Sequence, residues 1–215
     1  LVGDILKARA DVKVNQGQNF SRLMNYAMYG PKSPATNLLT EAELASMNPQ
    51  ELVDRIHNQN NYKHRILYYG PSSSKDLLAT IDQYHQVPAT LKDIPAGNEF
   101  SYLETPATKV LVAPYEAKQI YMAQISNLDK KYDPAIEPTR ELYNEYFGGG
   151  MNSIVFQEMR ETRGLAYSAW AGIMPPSYLK YPYTIRTQIA TQNDKMIDAV
   201  NTFNDIINNM PESEA

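Results

Sequence analysis

Phe147-Gly148-Gly149-Gly150-Met151-Asn152-Ser153-Ile154-Val155-Phe156-Gln157-Glu158-Met159-Arg160-Glu161-Thr162-Arg163-Gly164-Leu165-Ala166-Tyr167 reads as three pieces in succession. A triple-glycine turn leads into an amphipathic helix, and an Arg–Glu–Thr–Arg–Gly turn leads into a strand. Consecutive glycines reach backbone conformations closed to other residues and let another segment approach closely. As a tight helix-to-helix turn, the glycines put Asn152 or Ser153 at the N-cap of the next helix. Arg160 and Tyr167 flank the second turn. An Arg and a Tyr aimed at one place are donors suited to a polarised carbonyl. The structural alternative pairs Arg160 with Glu158 or Glu161 and makes Tyr167 a strand residue with a half-buried ring.

Working outward, apolar residues at helical spacing run from Ile5 to Met28, with an interruption expected at Gly17. Thr40 and Glu43 form a capping box, and Asn48 followed by Pro49 opens a second short helix that runs to about Asn58. Tyr62 to Tyr69 reads as a strand bounded by Gly70-Pro71, and Ser72-Ser73-Ser74 caps a helix bearing Leu77, Leu78 and Ile81. The proline-bearing stretch 87–108 reads as loop or edge strand and as the internal linker. Lys109 to Ala113, Gln119 to Ile125, Ala166 to Ile173 and Tyr183 to Ala190 read as strands. Ala135 to Phe147 and Asp194 to Asn208 read as helices. Mixed helices and short neighbouring strands predict an α+β fold: a two-layer unit with helices packed on a mainly antiparallel sheet.

The 215 residues carry 20 Lys and Arg against 24 Asp and Glu, a net charge of -4, with no basic block. That argues against a dedicated nucleic-acid surface. There is no cysteine, so disulfides and thiolate metal sites are excluded. No apolar run of membrane-spanning length occurs. No targeting segment is recognised at Leu1-Val2-Gly3-Asp4. Both ends read as cut from a longer polypeptide, with Pro211-Glu212-Ser213-Glu214-Ala215 resembling the first turn of a further helix. Sixteen tyrosines are many for this length. Those at 68–69 and at Tyr178, Tyr181 and Tyr183 suit either peptide binding or packing in a sheet.

The segment from Tyr143 to Tyr167 resembles the C-terminal-type domain of the pitrilysin/insulinase family of zinc metallopeptidases. That family shows a Gly-Gly-Gly-Met-Ser/Asn-Ser turn, a Phe-Gln-Glu helix and Arg-Glu-x-Arg-Gly-Leu-Ala-Tyr. The resemblance implies tandem α/β units of a pitrilysin-type metallopeptidase homology domain. Residues 1–40 would be the helical end of one unit, and residues 41–215 most of the next, truncated before its last helices. It implies a zinc endopeptidase that encloses and hydrolyses peptides. Here Arg160 and Tyr167 would meet the substrate as catalytic contacts, and Gly148, Gly149 and Gly150 would form a substrate-binding loop. The alternative it implies is a non-catalytic scaffold or peptide-binding half of the same fold.

The family's zinc site is a His-x-x-Glu-His helix with a further Glu downstream; the two His hold the metal and the intervening Glu is the general base. His57, His64 and His85 are the chain's three histidines, and none has that context. The expectation is therefore no metal held by this chain. Zinc would belong to the full-length protein or to a partner half bearing His-x-x-Glu-His. Family members also bind extended substrate along a sheet edge, but which strand is the edge stays open. Peptide substrate and that partner half are the expected partners. An envelope or secreted location of the parent is left open. Truncation after the helix that follows Asp194 is expected to bare an apolar face and favour self-association.

Overall fold

The computed structural model describes residues 1–210, and three strands carry its long-range pairing. They are β1 (Gln119–Lys131), β2 (Ser168–Met174) and β3 (Pro182–Gln192), antiparallel in the order β1-β3-β2. Register sets Met122 and Ala169 on either side of Ile189, and Gln124 and Ala171 on either side of Thr187. Side chains alternate across a strand, so these residues share one face. Ala169, Ala171, Thr187 and Ile189 are buried there. The β1–β3 register shifts between Asn127 and Lys131, where Pro182 opens β3. Proline is tolerated at a strand's first residue because no ladder donor is required of it.

Helices α6 (Glu137–Asn144), α7 (Ile154–Phe156) and α8 (Met196–Asn208) accompany that sheet. π-helical turns continue α6 through Glu145–Gly149 and α7 through Gln157–Thr162. Phe147, Val155, Met159, Phe203 and Ile206 join Ala171 and Ile189 in one buried cluster. Each such large side chain contributes about 1.5–3 kcal/mol on burial. The face of α8 expected to need covering by later elements is covered by this sheet layer instead. Ala199 and Phe203 are fully buried and Ile206 nearly so, while Ile197 stays exposed. The reason is register: positions 199, 203 and 206 share the helical face turned to the cluster.

Gly148 and Gly149 allow close backbone packing, whereas Gly150 has room for a side chain. None of the three has a positive φ. A Cβ on Gly148 would fall on the backbone of Ala171, 2.6 Å from its nitrogen, and one on Gly149 would lie 2.9 Å from Asn144 O. Gly150 then closes the helix, and Ser153 caps α7 through the Phe156 N–H.

α1 (Val2–Val12) and α2 (Gln16–Tyr29) are separated at residues 13–15, just before Gly17. The Asn15 side chain accepts from Gln18 N, and that cap starts the new helix. Phe20 of α2 meets the Tyr121 ring edge-on at 5.6 Å. Tyr121 lies on the sheet face opposite Met122, so α2 lies against the second face. The α+β class and antiparallel sheet are as expected, and α2 extends the two-layer expectation.

The chain divides into two compact units. One comprises Leu1–Leu6 and Leu38–Glu99; the other comprises Lys7–Asn37 and the chain from Phe100 onward. The first holds α3 (Glu41–Ser46), α4 (Pro49–Asn58) and α5 (Ser74–Tyr84). The Thr40–Glu43 capping box, the Asn48 cap with Pro49 and the Ser73 cap all form.

Two expected strands are absent. In 62–69 the β pairing is a single bridge, Tyr62 to Lys92, and Leu67 is 86% exposed. Lys109–Ala113 is unpaired, with Val110 and Val112 exposed. β propensity marks a segment that fits a sheet, but a strand exists only where a neighbour completes its hydrogen bonds. Among the described residues no helix is long and apolar enough to cross a membrane. The helical start expected at Pro211–Ala215 lies outside the described residues.

Candidate functional site

The turn after α7 brings Arg160 and Tyr167 together. Leu165 N and Ala166 N both donate to Met159 O, at 2.8 and 3.2 Å, and Gly164 N donates to Arg160 O at 3.1 Å. Gly164 has φ +56°, a left-handed conformation that glycine adopts without a Cβ clash. The reversed chain then enters the sheet, with Tyr167 N donating to Ala190 O at 3.0 Å.

The Arg160 guanidinium carbon lies 4.9 Å from the Phe156 ring centroid and 5.8 Å from that of Tyr167. Both fall within cation–π range. Arg160 Nε is 3.5 Å from Glu161 Oε1, while Glu158 is taken by Arg163. Between surface groups such a pair contributes at most about 1 kcal/mol. Tyr167 is 76% exposed, in place of the half-buried strand residue of the alternative reading. Two donors, a guanidinium and a phenol, thus share one exposed surface and can serve a carbonyl or carboxylate. Phe156 completes the stack. Its spacing four residues before Arg160 on one helix was the signal available in the sequence.

Of the glycines, Gly148 is buried against β2, and Gly149 and Gly150 are exposed. The same contact closes part of the β2 edge. Asn144 donates through Nδ2 to Ile173 O at 3.0 Å and accepts from Ile173 N at 2.8 Å, and Arg140 adds a bond to Ile173 O.

β1 is the other edge. Asn127 N donates to the Thr105 hydroxyl and Gln119 O accepts from Gln16, so these residues turn main-chain groups outward. Antiparallel alternation puts Tyr121, Ala123 and Ile125 on the same outer edge. Among the described residues their outward groups meet no main-chain partner.

A tyrosine cluster lies in the same unit. Tyr102 packs against Tyr29 and Tyr181, at 4.9 and 6.0 Å between centroids. Arg186 donates to its hydroxyl at 3.3 Å, and Ser177 lies 3.2 Å from it. Burial alone would raise the Tyr102 phenol. The hydrogen bonds of Ser177, Tyr29 and Arg186 outweigh it and bring the phenol below the ordinary tyrosine value. Tyr29 is pushed up to about 12 by burial and by its bond to Tyr102. The late tyrosines therefore divide: Tyr183 is core, and Tyr178 is open to solvent. The link between Tyr102 and Arg186 spans 84 positions and left no sequence signal.

Among the described residues no three His, Cys, Asp or Glu side chains converge as a metal-binding group.

A family model described as the peptidase M16 inactive domain matches residues 65–214. No curated protein matches at a significant level. Among solved structures, the chain is similar to a peptidase M16 inactive domain from Pseudomonas fluorescens, with TM-score 0.64 and 19% identity. That match covers 98% of this chain and 51% of the other. It is also similar to the ferredoxin protease FusC in complex with Arabidopsis ferredoxin, with TM-score 0.64 and 12% identity, over 98% of this chain and 23% of FusC. A protease from Helicobacter pylori matches with TM-score 0.56 and 11% identity, over 88% of this chain and 47% of that one. At such identities the likeness speaks for the fold alone. The chain spans about half the length of the Pseudomonas protein and under a quarter of FusC.

Proposed function

The chain belongs to the peptidase M16 inactive-domain family, and on that premise we propose that it is the substrate-enclosing half of a zinc endopeptidase. In this reading residues 1–40 end one homology unit and residues 41–215 form most of the next. Zinc and the general base come from a half bearing His-x-x-Glu-His, in the same polypeptide or in a partner subunit.

The observation that carries the reading is the exposed pair Arg160 and Tyr167, with the guanidinium 5.8 Å from the tyrosine ring. The Tyr167 hydroxyl donates to the oxyanion that forms when the scissile carbonyl is attacked. Arg160 binds a neighbouring substrate carbonyl. Such donors act most strongly where charge develops in the transition state. Gly149 and Gly150 lie on the exposed part of the glycine turn and line the substrate path. The outer edge of β1 suits an extended peptide, which would add to it as a further strand. FusC, of like fold, is a protease held with a protein, and a polypeptide is the ligand class assigned here.

A second reading, a peptide-binding scaffold without catalytic contacts, is favoured by the ion pair between Arg160 and Glu161. The two readings separate on kcat/KM for an unstructured peptide, measured in the zinc-loaded full-length parent with Tyr167→Phe. Loss of one transition-state donor costs about 10²–10³-fold. A loss of that size is the expected outcome. An unchanged rate assigns the chain to the scaffold role.

A further inference from the structure

We propose that His64 and His85 form a two-imidazole site for a divalent transition-metal ion, distinct from any His-x-x-Glu-His centre and independent of the peptidase reading. Their Nε2 atoms lie 2.6 Å apart. The rings are nearly perpendicular, at 86°, with centroids 4.8 Å apart.

Both side chains are held from behind. His64 follows the Tyr62–Lys92 bridge, where Lys63 N donates to Lys92 O and Lys92 N donates to Asn61 O, each at 2.8 Å. His64 Nδ1 lies 2.6 Å from Tyr62 O. A carbonyl only accepts, so Nδ1 carries the hydrogen, and in the neutral ring Nε2 then presents its lone pair. A backbone carbonyl on the second ring nitrogen is the usual outer support of a metal-binding histidine. His85 is the C-cap of α5, with its N–H on Ile81 O at 2.8 Å.

These assignments fix what metal binding does. Without metal, His85 Nε2–H donates to the bare His64 Nε2. The ion takes the place of that hydrogen. His85 then carries its hydrogen on Nδ1, both Nε2 lone pairs bond the metal, and no net proton is released from the neutral pair. Metal–nitrogen bonds of about 2.0–2.1 Å set two ligand nitrogens roughly 2.9–3.4 Å apart. The pair therefore opens by less than about 1 Å.

Imidazole nitrogens select copper, zinc or nickel over magnesium or calcium. Among the described residues no third His, Cys, Asp or Glu converges on the pair, so water completes the coordination. His64 lines a groove with Ile66, Tyr68, Leu77, Leu78 and Ile81, and the bound ion clips the end of α5 to its rim.

The test is titration of the chain with Cu2+, followed by electron paramagnetic resonance, and with Zn2+, followed by calorimetry and by the imidazole Cε1–H signals. A single site with two imidazole nitrogens is expected, and Zn2+ should move the His64 and His85 signals but not that of His57. His64→Gln and His85→Gln, each checked for native circular dichroism, should weaken binding at least about tenfold. Zn2+ should raise the melting temperature of the wild type and of His57→Gln only. Absence of stoichiometric binding would overturn the proposal, as would equal movement of all three histidine signals. If either variant misfolds, the wild-type proton signals alone decide the outcome.

Discussion

Gly148 is fixed by what it touches. Its missing side chain leaves room for the Ala171 backbone, and a methyl group there has no flexible neighbour to displace. Gly148→Ala should destabilise the chain by about 1–3 kcal/mol, or prevent its folding, in a denaturant titration. Gly150→Ala is the matched control, because its Cβ would meet nothing closer than 3.8 Å. Glu137 gives a second residue-scale expectation. It accepts from Arg140 Nε at 3.0 Å and from the buried Tyr183 hydroxyl at 2.6 Å. The Arg140 bonds, then that of Tyr183, hold its carboxyl below the ordinary glutamate value. A depressed folded value means that stability from this group is present above the unfolded value, about 4.3, and is lost as pH falls through the folded one. Glu137→Gln should therefore flatten the acid limb of a melting-temperature profile below about pH 4.3. An acid limb identical to that of the wild type would remove Glu137 from the account.

Among elements, the sheet edges differ in what they leave open. β2 is closed at Ile173 by Asn144 and Arg140, whereas β1 turns Tyr121, Ala123 and Ile125 outward. Ala123→Pro removes an outward N–H and no ladder bond, a substitution an edge strand tolerates. It should abolish capture of an extended peptide while leaving the melting temperature within a few degrees, and equal affinity would exclude β1 as the docking edge. The helices were legible element by element. Thr40 with Glu43, Asn48 with Pro49, and Ser73 are local signals acting over three residues or fewer, and each formed. The stretch 62–69 is rich in tyrosine and 109–113 carries Val110 and Val112, yet beyond the single Tyr62–Lys92 bridge neither has a paired neighbour, which no local pattern specifies.

On the scale of the whole molecule, apolar exposure is concentrated in segments without secondary structure. Leu67, Val110 and Val112 stand 86%, 79% and 77% exposed. Unpaired segments of this composition are templates for intermolecular pairing. Static light scattering of the chain should show a mass that rises with concentration, and a monomer mass throughout would count against self-association. By itself, the sequence determined the α+β class, the capped helices, the strands that became β1, β2 and β3, and the Arg160–Tyr167 turn. Those features rest on period, caps and glycine positions within about twenty residues of one another. The tertiary structure alone decided that Gly148 serves packing rather than a left-handed turn, that α2 covers the second sheet face, and that Arg186 meets Tyr102 and His64 meets His85. Each of these depends on which distant backbone arrives beside a residue, and local sequence carries no record of that arrival.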